Sequence, residues 1–229
     1  MDSEERAEID ESYRGVIRLH SEVKGLIIAC EKIERNQNAN ISAIAELRSA
    51  FDHVMRTHAV IFGIETEESI STQTNMTAYD YCKSNIDKAL GHLYRAGYDA
   101  YDIISISLSE KIRNILEGRS SEALFHVIPE FAAMTNMIEN AEALIISAKV
   151  QKDVQAVDIE QAQFLNYATA NTTLERIYRQ LVTAMPQVLS YEEEQGKKQK
   201  KEQRRALIIN IIIAIATLVI GVVIGKLTR

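Results

Sequence analysis

Apolar residues recur along most of this chain at alternating steps of three and four, the spacing of one face of an α-helix. The first series is Ile9, Tyr13, Val16, His20, Val23, Ile27 and Cys30, and the polar stretch Asn36 to Asn40 ends it. A second series, Ile41, Ile44, Leu47, Phe51, Met55 and His58, predicts a second helix with that stripe as its apolar face. Gly63 and the polar run Glu65 to Asn75 predict a loop. A third, long helix follows from about Thr77 to Gly118, carrying Ile86, Leu90, Leu93, Gly97, Ala100 and Ile104. Gly91 and Gly97 inside it cost helix propensity and point to close approach by a neighbouring helix. Ser120 or Ser121 suits the cap of a short helix, and Pro129 the first turn of the next. Neither Gly nor Pro then appears until Pro186, too long a stretch for one helix of a bundle, so a reversal is expected between Gln151 and Asp158. The apolar set runs on through Phe164, Ala168, Leu174, Tyr178, Leu181 and Val182 before Pro186 breaks or kinks the chain.

Composition narrows the class. Only 9 Gly and 2 Pro serve 229 residues, too few for the turns of an all-β chain or the glycine-rich loops of a doubly wound α/β chain, and 46% apolar content excludes wholesale disorder. The expected fold is all-α: an antiparallel bundle of four or five long helices followed by a single C-terminal transmembrane helix. The last part of that expectation comes from Ala206 to Gly225, twenty residues without a charge in which only Asn210 and Thr217 are polar. As a helix they would cover about 30 Å, the thickness of a bilayer's hydrocarbon core. The organisation predicted is a cytoplasmic bundle over 1–190, a basic neck over 191–205, the span over 206–225 and a short tail over 226–229.

Charge is divided along the same line. Of 26 basic and 32 acidic side chains, residues 196–229 hold eight basic and one acidic, a balance of +7 that leaves −13 for residues 1–195. Lys197, Lys198, Lys200, Lys201, Arg204 and Arg205 precede the apolar run and only Lys226 and Arg229 follow it, which places the N-terminal side in the cytoplasm. The same six residues are the candidate contact with anionic head groups. The acidic start, with Asp2, Glu4, Glu5, Glu8, Asp10 and Glu11, is the opposite of a signal peptide, so a tail-anchored, single-pass protein of the cell membrane is expected. Cys30 and Cys82 suit buried thiols in a reducing compartment, and the acidic bundle argues against an extended nucleic-acid groove.

Asn210, Ala214, Thr217, Gly221 and Gly225 follow one another at steps of four, three, four and four and share one side of the membrane helix. Gly221 and Gly225 form a G-x-x-x-G pair, a pattern that lets two backbones pack closely in lipid, so the lipid bilayer and a second copy of the chain are the expected partners, with a protein partner on the bundle as a further possibility.

No phosphate-binding glycine loop, H-E-x-x-H, G-x-S-x-G or carboxylate–histidine di-metal set is present, and no cofactor or metal is expected. One constellation remains: Arg48-Ser49-Ala50-Phe51-Asp52-His53 in the second helix. Its spacing resembles the R-x4-6-H motif of the HEPN ribonucleases, which are helical bundles whose chains pair on RNA. The resemblance implies that His53 would act on the ribose 2′-hydroxyl or the leaving oxygen and that Arg48 would hold the scissile phosphate, without metal. It also implies RNA as a partner, and likens the chain to membrane-associated antiviral accessory proteins of bacteria. Arg119 and His126 repeat the spacing. Read from the residues alone, Arg48 and Asp52 make an ion pair at i and i+4, and His92, Arg95 and Asp99 on the third helix face the second to form a polar layer with Asp52 or His53. Two classes of function therefore stand side by side: a non-enzymatic, membrane-anchored bundle that self-associates as an effector or scaffold, and a membrane-anchored HEPN-like ribonuclease.

Overall fold

The computed structural model describes residues 1–33, 41–151 and 157–227, with the backbone alone for 151, 157–160, 216 and 218–227. Among the described residues there are seven helices and no strand: α1 (Ser3–Ile33), α2 (Ile41–Ile61), α3 (Glu67–Thr74), α4 (Ala78–Leu116), α5 (Ser121–Val127), α6 (Phe131–Gln151) and α7 (Val157–Leu227). The all-α class follows from the sequence as expected. The polar break at Asn36 to Asn40 lies outside the described residues, as does most of the segment between α6 and α7 where the reversal was expected. Contacts divide the chain into two units, residues 1–114 with 133–179 and residues 115–132 with 180–229.

In the first unit α4 is the central element. It runs antiparallel to α2, with Ser42 paired to Asp99 and His53 to Asn85. It also runs antiparallel to α6, with Ser109 paired to Glu142 and Asp102 to Lys149. It runs parallel to α1, through Glu8 with Lys83 and Cys30 with Ala100, and to the start of α7, through Asp102 with Tyr167 and Ser105 with Asn171. Four neighbours explain why so many α4 residues are buried, including Ile86, Ala89, Leu93, Ala96, Tyr98 and Ala100. The expected approach at Gly97 is real: a Cβ there would run into the ring of Phe164 on α7. Phe164 in turn meets Tyr94, Tyr98 and Tyr101 edge-on, at centroid separations of 5.3–6.1 Å. Burial pushes the Tyr101 phenol up to about 12, and desolvation with a hydrogen bond to Asp102 raises that of Tyr167 further. Cys30 and Cys82 are both buried free thiols.

α1 buries Ile9, Val16, Leu19, Val23, Ile27 and Cys30; Leu19 takes the place expected of His20, which is exposed. In α2 the expected core stripe is the wrong one. Its buried residues are Ala43, Ala50 and Thr57, seven apart, while Ile41, Ile44, Phe51 and Met55 are exposed. Small side chains inside let α2 lie close to its neighbours and turn its bulkiest residues outward. The loop expected over Glu65 to Asn75 instead holds α3. Thr66 caps it by accepting from the Ser69 N–H, Ile70 anchors it in the core, and Asn75 ends it with a left-handed φ of 59°. Gly63 and Gly118, at φ of 70° and 71°, end α2 and α4 as their positions predict. At the start of α4 the Thr77 hydroxyl caps the helix, accepting from the Asp80 N–H at 3.1 Å and donating to its carboxylate at 2.7 Å.

In the second unit Ser120 caps α5 by accepting from the Ala123 N–H. Glu192 on α7 accepts from the Ser120 N–H at 2.6 Å and from Arg119 at 2.8 Å, so one carboxylate holds both the turn and its cation. Tyr191 stacks on His126 at 4.3 Å and donates to Glu122, and Ala123, Leu124, Ile128, Leu181 and Val188 are buried. Pro129 sits in the turn before α6 rather than in its first turn. Of the break or kink expected at Pro186, the break is absent: α7 stays helical through it, without the hydrogen bond that a missing N–H forgoes. The transmembrane helix expected over Ala206 to Gly225 is only partly within reach of description. Its backbone is helical to the end, but side chains are described only to Ile215 and at Thr217, and among the described residues no helix is long and apolar enough to cross a membrane.

Candidate functional site

The chemistry-bearing side chains of the first unit gather in a polar layer between α2 and α4. Helical spacing puts Ser42, Glu46 and His53 on one side of α2, and Asn85, His92, Arg95 and Asp99 on the side of α4 that meets it. His53 and His92 stack at 5.3 Å between centroids with planes 18° apart. Each ring is oriented by a neighbour through Nδ1. The Asn85 amide nitrogen donates to the Tyr81 carbonyl, so its Oδ1 is an acceptor and the His53 Nδ1, 2.8 Å away, must carry a proton. His92 Nδ1 lies 2.7 Å from Glu46 Oε2 and 2.8 Å from the Arg95 guanidinium. A guanidinium and a protonated nitrogen are both donors, whereas a bare nitrogen facing a carboxylate would repel it. The arrangement that satisfies most groups therefore has the His92 Nδ1–H and the Arg95 Nε–H both donating to Glu46. In the neutral rings Nε2 is then left as the acceptor nitrogen of each histidine.

The layer matches the expectation that His92, Arg95 and Asp99 face the second helix. Glu46, Ser42 and Asn85, its other members, were not singled out by the sequence; the signal that finds them is their seven-residue or four-residue offset from the histidines and from one another. Asp52 is not in the layer. It pairs with Arg56 at 2.7 Å, four residues further along the exposed surface, and not with Arg48.

Arg48 and His53 are not brought together within the chain. At about 100° per residue they lie roughly 140° apart around α2: His53 faces α4, and Arg48 is exposed beside the outward apolar stripe. Arg119 is neutralised by Glu192 and His126 is stacked on Tyr191, so the second match is likewise committed to packing. Tyr13 on α1 meets His58 on α2 at 3.3 Å with their rings stacked, and His58 Nδ1 is the buried side-chain polar atom without a hydrogen bond among the described residues. Among the same residues no group of histidine, cysteine and carboxylate side chains could hold a metal ion.

Two depressions mark the first unit. A groove of about 220 Å³ between α1 and α2 is lined by Tyr13, Val16, Ile17, Leu47, Phe51 and Val54. A wider one of about 490 Å³ between α1, α4 and α7 carries Lys111, Glu175 and Arg179 with Asn171.

The candidate membrane and association residues stand on α7. Lys197 pairs with Glu193 at 2.6 Å, while Lys198, Lys200, Lys201, Arg204 and Arg205 are exposed. Asn210 and Ala214 are exposed and helical, and the Thr217 hydroxyl donates to the Ile213 carbonyl at 2.8 Å, which satisfies it inside an apolar stretch. Gly221 and Gly225 belong to the helix backbone and are otherwise outside the described residues. No protein-family model, curated protein or solved structure is detectably similar to this chain.

Proposed function

We propose that this chain is a membrane-attached helical scaffold that self-associates, with its helical units on the cytoplasmic side and the segment from Ala206 to Gly225 in the bilayer. The observation that carries the reading is the state of the first half of that segment. Leu207, Ile208, Ile209, Ile211, Ile212, Ile213 and Ile215 are each at least half exposed, and at 100° per residue they spread over about two thirds of the circumference of α7, with Asn210 and Ala214 in the remaining arc. In water that surface is costly, about 25 cal/mol per Å² of apolar area; in hydrocarbon it is at no disadvantage. The next ten residues of the sequence remain uncharged, which gives the length a bilayer needs. The preceding lysines and arginines suit the head-group region on the cytoplasmic side. Self-association draws on the small and polar positions Asn210, Ala214, Thr217, Gly221 and Gly225 on one side of the segment.

His53 is turned into the layer between α2 and α4, bonded to Asn85 and stacked on His92, while Arg48 lies on the outer surface, so the non-enzymatic reading is preferred. The test is membrane partition of the full-length chain. It is expected to stay in the membrane pellet after an alkaline carbonate wash and to cross-link as an oligomer that weakens in a Gly221→Ile, Gly225→Ile variant. Recovery in the supernatant without detergent would overturn the membrane part, and a monomer under all cross-linking conditions the self-association part.

A further inference from the structure

α2 has the apolar distribution of a helix covered from both sides, yet among the described residues only one side is covered. Its large residues Ile41, Ile44, Phe51 and Met55 project away from the core at 60%, 52%, 62% and 49% exposure, and Phe62 and Ile64 just beyond it reach 71% and 78%. Ile17 of α1, across the groove beside Phe51, is also exposed. Together these seven side chains present on the order of 700 Å² of apolar surface, taking each as about 180 Å² when fully exposed. A monomer rarely carries a larger contiguous patch.

We propose that this face of α2 is the interface between two copies of the chain, paired antiparallel about Phe51. Three features select a second copy over other occupants. The area is one: two such patches facing each other bury up to about 1,400 Å², which reaches the roughly 1,200–2,000 Å² of a specific interface. Charge is the second. The protein outside residues 196–229 carries −13, which repels both another copy and an anionic bilayer, but α2 itself holds Glu46, Arg48, Asp52 and Arg56 and is neutral. Two α2 helices therefore meet without net charge repulsion.

Register is the third. A two-fold contact must match a surface to itself, and about Phe51 the middle of the stripe does so: Leu47 falls opposite Met55, and the two Phe51 rings meet at the axis. Arg48 then comes within about 3 Å, measured along the axis, of being level with Asp52 of the second copy, close enough for an ion pair across the interface. Arg48, exposed and unused in the polar layer, thereby acquires a partner.

The inference rests on the self-association part of the proposed function and is independent of the membrane part. The experiment uses the full-length chain in native membranes with Phe51→Cys, compared with Leu165→Cys at an equally exposed position on α7. Cys30 and Cys82 are buried, so wild type serves as the blank. Under mild oxidation the Phe51→Cys chain is expected to give at least fivefold more disulfide-linked dimer than Leu165→Cys. Adding Ile44→Glu and Met55→Glu, both at half-exposed positions, is expected to cut that yield about tenfold with unchanged far-ultraviolet circular dichroism. Equal yields from the two cysteine variants, or a Phe51→Cys dimer indifferent to both glutamates, would overturn the proposal. So would protection of the Phe51→Cys thiol from a water-soluble maleimide without dimer formation, which would assign the face to lipid or another protein. If wild type assembles while Phe51→Cys stays unlinked, this surface is wrong and self-association stands; if nothing assembles, both fall.

Discussion

α2 and α4 read alike as sequences and differ as structures. Both carry apolar residues at steps of three and four, but α4 buries its stripe against four helices while α2 buries Ala43, Ala50 and Thr57 and leaves Ile41, Ile44, Phe51 and Met55 outside. Periodicity identifies a face that will be covered; it does not identify what covers it. A helix at the centre of a bundle has every neighbour in its own chain, whereas one at the edge can keep its bulkiest face for something that the chain does not contain.

The sharpest way to break this contrast is truncation on each helix. Leu93→Ala on α4 is expected to cost about 2–5 kcal/mol, as for other fully buried leucines, whereas Phe51→Ala should stay within about 0.5 kcal/mol in the monomer despite removing a larger side chain. Urea unfolding of detergent-solubilised chain measures both, and equal costs would mean that Phe51 is packed within the chain. Next in size is the crowding at Gly97. Gly97→Ala gains about 1 kcal/mol of helix propensity but drives a methyl into Phe164, which is itself buried, so a net loss of about 1–2 kcal/mol is expected. In a Phe164→Leu background the same change should be neutral or stabilising.

The effect that vanishes at neutral pH is alkaline. The folded Tyr101 phenol ionises near pH 12 and the unfolded one near 10, so folding favours the protonated form. That contribution is complete below pH 10 and fades as pH rises from 10 towards 12. Tyr101→Phe should flatten part of the alkaline decline, a difference of about 2 kcal/mol at most, readable as a change in the urea midpoint between pH 9 and 11.5; parallel curves would show that the ring is not protected.

Much of the scaffold was legible in the chain. α1 and α4 followed their apolar series, Gly63 and Gly118 marked the ends of α2 and α4, and Gly97 announced the contact that Phe164 makes. α3 was hidden because eight residues with one apolar anchor, Ile70, carry no periodic signal, although Thr66 three residues before Ser69 and Asn75 at the far end are cap chemistry. Pro186 does not end α7, since one missing hydrogen bond is tolerable in a helix with many turns on each side. The polar layer was half visible. His92, Arg95 and Asp99 announced themselves by sharing a face, but Glu46 and Asn85 are ordinary helix residues until a partner across the interface gives them an imidazole to orient.

The heptad of small residues on α2 has one more consequence. The side chains it buries completely are two alanines and a threonine, so its own fully buried residues contribute far less hydrophobic free energy than those of α4. The outer surface of α2 therefore belongs to the part of the first unit held by the smallest buried side chains, away from the aromatic core.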